Sequence, residues 1–223
     1  MKRSLFLQAV SKFLLGVVLV GIMIFWPAGS FAFPNGWLLM AILFVPMFGA
    51  GIVMLIKQPE LLEKRLQAKE EQREQKLVVK LSGLMFIAGF VLAGLDHRFG
   101  WLPLQPAVSY AAAAVFLLAY VLYGEVLREN AYLSRTIQVQ ENQKVVDTGL
   151  YGIVRHPMYF ATVLLFLAIP LVLGSLISFA VFLVYPLLIA KRIRNEEQIL
   201  TADLPGYGEY KAKVKYKMVP FVW

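Results

Sequence analysis

The stretch that decides the fold is YFATVLLFLAIPLVLGSLISFAVFLVYPLLI, residues 159–189, which contains no Asp, Glu, Lys or Arg. A membrane-spanning helix needs about 20 mostly apolar residues, so this stretch is long enough to cross a bilayer. Pro170 and Gly174 interrupt it, and a proline kinks or ends a helix. We predict a tight helical hairpin of two spans, Tyr159–Leu173 and Ser175–Ile189; one long kinked span is the alternative.

Four further apolar stretches precede this hairpin. Of the 223 residues, 59% are apolar and 16% are charged, whereas a soluble domain has about 45–50% and about 25%. This composition excludes a disordered chain, a collagen-like chain and an ordinary soluble enzyme. We therefore predict an all-α integral membrane protein with about six transmembrane helices, the first four at roughly Leu5–Trp26, Gly36–Ile56, Leu81–Leu95 and Ala107–Leu127.

The basic residues predict the orientation of these spans. With six crossings and the N-terminus inside, the inner segments are 1–12, 57–80, 128–157 and 190–223, and they contain 21 of the 22 lysines and arginines. Cytoplasmic loops are rich in Lys and Arg, so we expect a multi-pass protein with both termini in the cytoplasm. We expect membrane lipids, and no nucleic acid, as contacts of the basic segments. A cleaved signal peptide is disfavoured because further spans follow the first apolar run.

Two regions follow from this arrangement. Residues 1–127 would form four spans joined by the charged cytoplasmic linker 57–80, predicted to be helical. Residues 128–223 would form the catalytic region, with the helical hairpin at 158–192 and a cytoplasmic tail. The chain has no cysteine and two histidines, which excludes a disulfide framework and a thiolate nucleophile; no metal is expected.

A polar motif, GLYGIVRHPMY at 149–159, lies directly before the hairpin. Proline is favoured in the first turn of a helix, so Pro157 places Arg155 and His156 at the N-terminus of the fifth span. The free N–H groups and the helix dipole at that position favour an anion, such as the carboxylate of an amino-acid-like cofactor. The alternative is that Arg155 anchors the helix in the membrane and His156 caps it.

An acidic pair follows the hairpin in RIRNEEQIL, residues 192–200. Arg192 and Glu196 share one helical face because they are four residues apart, and Glu197 lies about 100° away. The two carboxylates can therefore face different partners, one a pocket and the other Arg155 or water. The alternative is a surface salt bridge worth less than about 1 kcal/mol.

The C-terminal tail begins with the turn LPGYGEY at 204–210. Lysines then alternate with other residues from 211 to 217, and an alternation of period two predicts an extended segment. Such a segment would lie flat on the membrane with its lysines facing phosphates; a solvated basic tail is the alternative.

These motifs, in this order and followed by VPF at 219–221, resemble the isoprenylcysteine carboxyl methyltransferase family. Phospholipid N-methyltransferases share the same C-terminal signature. The resemblance covers about residues 120–223, and it departs from the usual pattern at Leu150, where many members have Pro, and at Ala161, where many have Gly. It implies a membrane-embedded enzyme that uses S-adenosylmethionine, with its cofactor site formed on the cytoplasmic side by the polar loop and the C-terminal tail.

The resemblance also implies site residues. The cofactor would be bound by Gly149, Tyr151, Arg155, His156, Tyr159, Glu196 and Glu197. The catalytic residues would be Arg128, Arg192 and Glu196.

The implied reaction is carboxyl O-methylation of an isoprenylcysteine-like substrate that enters from the bilayer. Alternatives are a phospholipid N-methyltransferase, a non-catalytic membrane scaffold and an NADPH-dependent reductase of the sterol-reductase type. The reductases resemble this chain in an Arg-His-Pro-x-Tyr segment, but Phe160-Ala161 stands here where they have Gly-Glu.

Overall fold

The computed structural model describes residues 2–66, 73–133 and 139–223, so part of the linker 57–80 and part of the segment 128–157 lie outside the described residues. Within them the chain is built from helices, in agreement with the predicted fold class. The α-helices are α1 (Lys2–Ala28), α2 (Pro34–Lys57), α3 (Pro59–Leu66), α4 (Arg73–Phe99), α5 (Pro106–Glu129), α6 (Pro157–Val172), α7 (Leu176–Phe182), α8 (Tyr185–Asp203) and α9 (Tyr207–Lys213), with a 3₁₀ turn at Gly149–Gly152 between α5 and α6.

Five helical segments of the described chain are long and apolar enough to cross a membrane: Ser4–Ala28, Pro34–Lys57, Gln75–Phe99, Pro106–Glu129 and Leu176–Asp203. The predicted third span was too short, because α4 continues for 27 residues in all. The predicted fifth span corresponds to α6, which has only 16 residues. The exact number of six crossings therefore stays a prediction, whereas a multi-pass membrane protein is confirmed.

The apolar stretch forms a hairpin and not one kinked span. Helix α6 ends at Val172, and Gly174 turns the chain with φ +78°. Ser175 then caps α7 by accepting the N–H of Ser178. The hydroxyl of Ser175 donates to the buried carboxylate of Asp96 at 2.5 Å, which fastens the turn to the end of α4.

The returning segment α7–α8 runs back along α6 and past α4. Ring contacts mark this packing: Phe166 of α6 meets Tyr185 with centroids 4.7 Å apart, and Phe86 of α4 meets Phe182 at 5.4 Å. The hairpin therefore brings the residues before α6 and those at the far end of α8 to one end of the bundle.

The tail differs from the extended segment predicted for residues 211–217. Lys211 and Lys213 lie in α9, and the chain is non-helical only after it. Gly206, with φ +82°, opens this helix. The physical reason is that Tyr207 and Tyr210, three residues apart, bury both rings on one helical face, which outweighs the alternating pattern of the lysines.

Candidate active site

A cleft lies where the loop between α5 and α6, the start of α6, the end of α8 and α9 meet. It encloses about 820 Å³ of empty space, including the part open to solvent. The residues that line it are Asn130, Tyr132, Leu133, Gln143, Lys144, Val145, Val146, Tyr151, Arg155, His156, Met158, Tyr159, Arg192, Glu196, Leu200, Leu204, Tyr207 and Tyr210.

One side of the cleft is a stripe along α8. Arg192, Glu196, Leu200 and Leu204 all line it, and residues four apart share a helical face. A helix rises 1.5 Å per residue, so the stripe extends over about 18 Å. It changes from charged at Arg192 and Glu196 to apolar at the two leucines, which gives the cleft a charged end and an apolar end.

Tyr159 connects the charged residues of the stripe. Its hydroxyl donates to the Glu196 carboxylate at 2.5 Å and accepts from Nε of Arg192 at 2.9 Å. The tyrosine is 5% exposed and lies in the first turn of α6. A phenol between a carboxylate and a guanidinium fixes the orientation of both groups, because hydrogen bonds to charged groups are the strong ones.

A second contact holds Arg192 from the side of α4. Its Nη1 donates to the side-chain oxygen of Gln75 at 3.0 Å, and the amide nitrogen of Gln75 donates to Asn195 at 2.5 Å. Gln75 is 1% exposed. The guanidinium at the charged end is therefore positioned by two buried side chains from two different helices.

Glu197 faces away from the cleft and forms a buried ionic cluster. Its Oε1 accepts from Nε of Arg155 at 2.6 Å and lies 3.4 Å from Nε2 of His156. Nζ of Lys217 lies 3.6 Å from its other oxygen. Both Arg155 and Glu197 have side chains less than a tenth exposed, so this pair lies where an unpaired charge would be costly.

The same arginine fastens the tail to the start of α6. Nη1 of Arg155 donates to the carbonyls of Val214 and Lys215 at 2.6 and 2.9 Å. The backbone N–H groups of Arg155 and His156 donate to the carbonyls of Tyr216 and Lys217. The segment 214–217 is thus held against the start of α6, whereas the C-terminal residues that line the cleft are Leu204, Tyr207 and Tyr210. The role of the tail in forming a cofactor site stays a prediction.

Gly149 supports the part of the wall that Tyr151 forms. It begins the 3₁₀ turn with φ +58°, and a Cβ at this position would collide with the Glu129 carboxylate. That carboxylate accepts the N–H of Leu150 at 2.9 Å. Glu129 at the end of α5 therefore fixes the turn that carries Tyr151 into the cleft.

The apolar end of the cleft is rich in tyrosine. The hydroxyl of Tyr210 donates to the carbonyl of Tyr151 at 2.8 Å, and the rings of Tyr207 and Tyr210 lie 5.7 Å apart. Burial raises the pKa of all three phenols, and the nearby Glu197 and Glu196 further raise the pKa of Tyr207. All three tyrosines are therefore protonated at neutral pH.

Most of the residues named from the sequence meet in this cleft. Tyr151, Arg155, His156, Tyr159, Arg192 and Glu196 line it, while Gly149 and Glu197 support its walls without lining it. Arg128 is not brought there: its side chain is 72% exposed and its Nη2 lies 2.5 Å from Glu125. The roles of all these residues stay predictions.

Sequence reasoning missed Gln75, Glu129 and the tyrosines at 207 and 210 as site residues. Gln75 lies in the charged linker, far from the motifs in sequence. Tyr207 and Tyr210 belong to a recognised motif, but the alternation that follows predicted an extended chain. The signal that identifies them is their spacing of three residues directly after Pro205-Gly206.

The fold and the cleft define a class, namely a multi-pass membrane protein that is helical over the described residues and has a cleft where the ends of its last helices meet. The family model described as the isoprenylcysteine carboxyl methyltransferase (ICMT) family matches residues 109–202. The solved structure of the eukaryotic intramembrane Ras methyltransferase ICMT is similar in fold, with a TM-score of 0.57 and 19% identity, and the likeness covers 92% of this chain and 73% of that one. Both matches are to the family that the motifs resemble, which confirms the resemblance; the family model covers 94 of the 223 residues, and the solved structure shows the shared fold.

One curated relative is named as a reductase and not as a methyltransferase. The Delta(14)-sterol reductase of Mus musculus is 30% identical over 91 residues, which cover 40% of this chain. The match spans about a fifth of that relative's length (22%).

Proposed function

We propose that the protein is a membrane-embedded, S-adenosylmethionine-dependent methyltransferase that methylates the carboxylate of an isoprenylcysteine-like lipid. The observation that carries the proposal is the arrangement of Tyr159, Glu196 and Arg192 at the charged end of the cleft. The family match over residues 109–202 includes all three.

The residues present fit the proposed cofactor. S-adenosylmethionine has a flat nucleoside at one end and a charged amino-acid part at the other, and the cleft has an apolar tyrosine-rich end and a charged end. We propose that Tyr151, Arg155, His156, Tyr159 and Glu196 bind the cofactor, with Gly149 and Glu197 supporting them.

The bound cofactor supplies a methyl group on a positively charged sulfur. The acceptor carboxylate needs to be oriented and separated from water, and a guanidinium binds a carboxylate in a two-pronged geometry. We propose this role for Arg192, since Tyr159 and Gln75 already fix its orientation. No protein nucleophile is required, so the reaction is compatible with a chain without cysteine.

The finer location is also part of the proposal. We place the cleft at the cytoplasmic face, with both termini on that side, because 21 of the 22 basic residues lie in segments predicted to face inward. The lipid acceptor would then reach the charged end from the bilayer, and the polar cofactor would reach the cleft from the cytoplasm.

Binding and turnover in lipid nanodiscs test the proposal. Wild-type protein should bind S-adenosylmethionine and transfer a labelled methyl group to a farnesylated cysteine with a free carboxylate. Tyr159→Phe and Glu196→Gln should weaken these activities. Transfer to phosphatidylethanolamine instead would identify a phospholipid N-methyltransferase, in which Glu196 would accept the proton of the amine.

A sterol-type reductase is the second candidate, and the match to the mouse reductase favours it. The same preparations should then bind NADPH and oxidise it in the presence of an unsaturated sterol. We favour the methyltransferase because the family match over residues 109–202 is to the methyltransferase family, and because Phe160-Ala161 replaces the Gly-Glu expected of the reductases.

A further inference from the structure

The chain makes a tight turn at residues 219–222, and a phenylalanine in a strained conformation forms its tip. The N–H of Val222 donates to the carbonyl of Val219 at 3.2 Å, and Phe221 has φ +64°. A turn with proline in the second position and a positive φ in the third is of type II, in which the third residue is usually glycine or asparagine. A bulky residue with positive φ costs free energy and therefore needs an explanation.

The side chains at this tip are apolar and exposed. Phe221 is 87% exposed and Val222 is 78% exposed, and leaving apolar surface in water is unfavourable. The ring of Phe221 contacts the ring of Tyr216, with centroids 5.2 Å apart. Backbone strain and apolar exposure thus coincide at one residue, which indicates a surface that contacts something outside the fold of the chain.

The base of the turn fixes its level in the bundle. The carbonyl of Trp223 accepts three backbone N–H groups, those of residues 217–219, at 3.0 Å each. Met218 is buried in the main hydrophobic core of the helices, and Trp223 packs against that core. The carbonyl of Tyr216 accepts the N–H of Arg155, directly before α6 begins. The tip is therefore level with the start of α6, where the chain passes from a polar loop to an apolar helix, and aromatic side chains are enriched at this level of membrane proteins.

The charge of the segment favours a lipid surface as its partner. Residues 211–223 include four lysines and no Asp or Glu. Lys211 and Lys215 are exposed and make no ion pair with the described residues. Lysines beside exposed aromatic residues are typical of segments that lie at anionic membrane surfaces. A second copy of the chain would bring the same lysines to the contact, so like charges disfavour self-association through this surface.

We propose that the turn 219–222 is a membrane anchor, which inserts Phe221 and Val222 into the interface of the leaflet nearest the start of α6, with the neighbouring lysines at anionic headgroups. The lipid supplies the apolar surroundings that the fold leaves out, and this burial offsets the cost of the strained backbone. The anchor also holds the adjoining segment 214–217, which binds Arg155, at the membrane surface. The inference does not depend on the reaction that the protein catalyses.

The absence of native cysteine allows a direct measurement of depth. A nitroxide spin label is attached to Phe221→Cys or, with the ring retained, to Val222→Cys, in nanodiscs of phosphatidylcholine and phosphatidylglycerol. Lys211→Cys on α9 is the aqueous control, and Leu118→Cys, at a 69% exposed position of α5, is the lipid control. We measure collisions of each label with oxygen, which concentrates in the bilayer, and with a water-soluble nickel chelate. Both tip labels should have an oxygen-to-nickel ratio several times that of Lys211→Cys and closer to that of Leu118→Cys.

A further variant tests whether the ring is the anchor. Phe221→Gly in the Val222→Cys background keeps the turn, because glycine readily adopts a positive φ, but removes the ring. Its label should therefore move toward the ratio of the aqueous control, and an unchanged depth would remove Phe221 as the anchor. In the first experiment, tip labels that match Lys211→Cys overturn the proposal, since the turn would then lie in water. Tip labels shielded from both reagents overturn it as well, because they would show that a protein covers the turn.

Discussion

Glu196 and Glu197 are adjacent in the chain but have separate partners: Glu196 accepts the Tyr159 hydroxyl in the cleft, whereas Glu197 accepts Nε of the buried Arg155 behind it. The helical rotation of about 100° between neighbours produces this division. One carboxylate is available to a ligand, and the other joins the hairpin to the tail.

The first prediction distinguishes the two carboxylates by how much each contributes to the free energy of unfolding. Glu197→Ala leaves the buried Arg155 without its counter-ion and should lower the free energy of unfolding by about 3 kcal/mol or more. Glu196→Gln, at a half-buried position, should change it by less than about 1 kcal/mol. Thermal unfolding in one detergent measures both. Equal losses in the two variants would contradict the division of roles.

The second prediction concerns the phenol at the charged end. Tyr159→Phe removes the hydroxyl that orients Glu196 and Arg192 and should lower the rate of methyl transfer about tenfold or more, since a hydrogen bond to a charged group contributes about 1.5–3 kcal/mol. The ring remains, but Glu196 and Arg192 lose a partner, so the thermal midpoint should also fall, and turnover is compared well below the midpoint of the variant. If the variant kept full turnover, the hydrogen bonds of the Tyr159 hydroxyl to Glu196 and Arg192 would have no part in the reaction.

The third prediction uses two glycines. Gly149→Ala places a Cβ against the Glu129 carboxylate at φ +58° and should destabilise the fold by about 1–3 kcal/mol while weakening ligand binding. Gly208→Ala in α9 is the matched control, because a Cβ there meets nothing within 4 Å. Alanine is the better helix former, so the control should be neutral or more stable by up to about 1 kcal/mol. Comparable losses in both variants would refute the role of the turn.

The fourth prediction examines Arg128, which the family resemblance names and the cleft does not include. Its exposed pair with Glu125 contributes little to stability, so Arg128→Ala should alter the free energy of unfolding by less than about 1 kcal/mol. The Arg128→Lys variant would retain the charge without the planar fork of the guanidinium. We expect methyl transfer to fall at least tenfold in the alanine variant and to recover partly in the lysine variant. Unchanged turnover in the alanine variant would remove Arg128 from the catalytic residues.

The fifth prediction addresses orientation and uses the absence of native cysteine. Single cysteines at the exposed positions Ser4, Arg98 and Lys211 can be labelled in intact cells with an impermeant maleimide. The Arg98→Cys protein should react from outside, whereas Ser4→Cys and Lys211→Cys should react only after permeabilisation. Labelling of the two ends from opposite sides would show an odd number of crossings.

The sequence predicts best what depends on local pattern. Apolar run lengths located the long apolar helices but not their number or full length, and Pro157 located the start of α6 at the residue where the structure begins it. The spacing of Arg192, Glu196 and Glu197 predicted that the two carboxylates have different partners, which the structure bears out in the contacts of each.

Features that depend on distant contacts were not predictable. The contact between Gln75 and Arg192 joins residues 117 positions apart, and no periodicity encodes it. The helix at Tyr207–Lys213 formed against the alternating pattern, because burial of two rings outweighs the placement of exposed lysines.

The attachment of residues 214–217 to Arg155 and His156 has a consequence for biosynthesis. A ribosome releases these residues only after the hairpin has been made, so the helices can insert before this attachment exists. The contacts of Arg155 and His156 with this segment therefore form only after the hairpin, so a nascent chain exposes the buried Arg155 before the carbonyls of Val214 and Lys215 can accept its N–H groups.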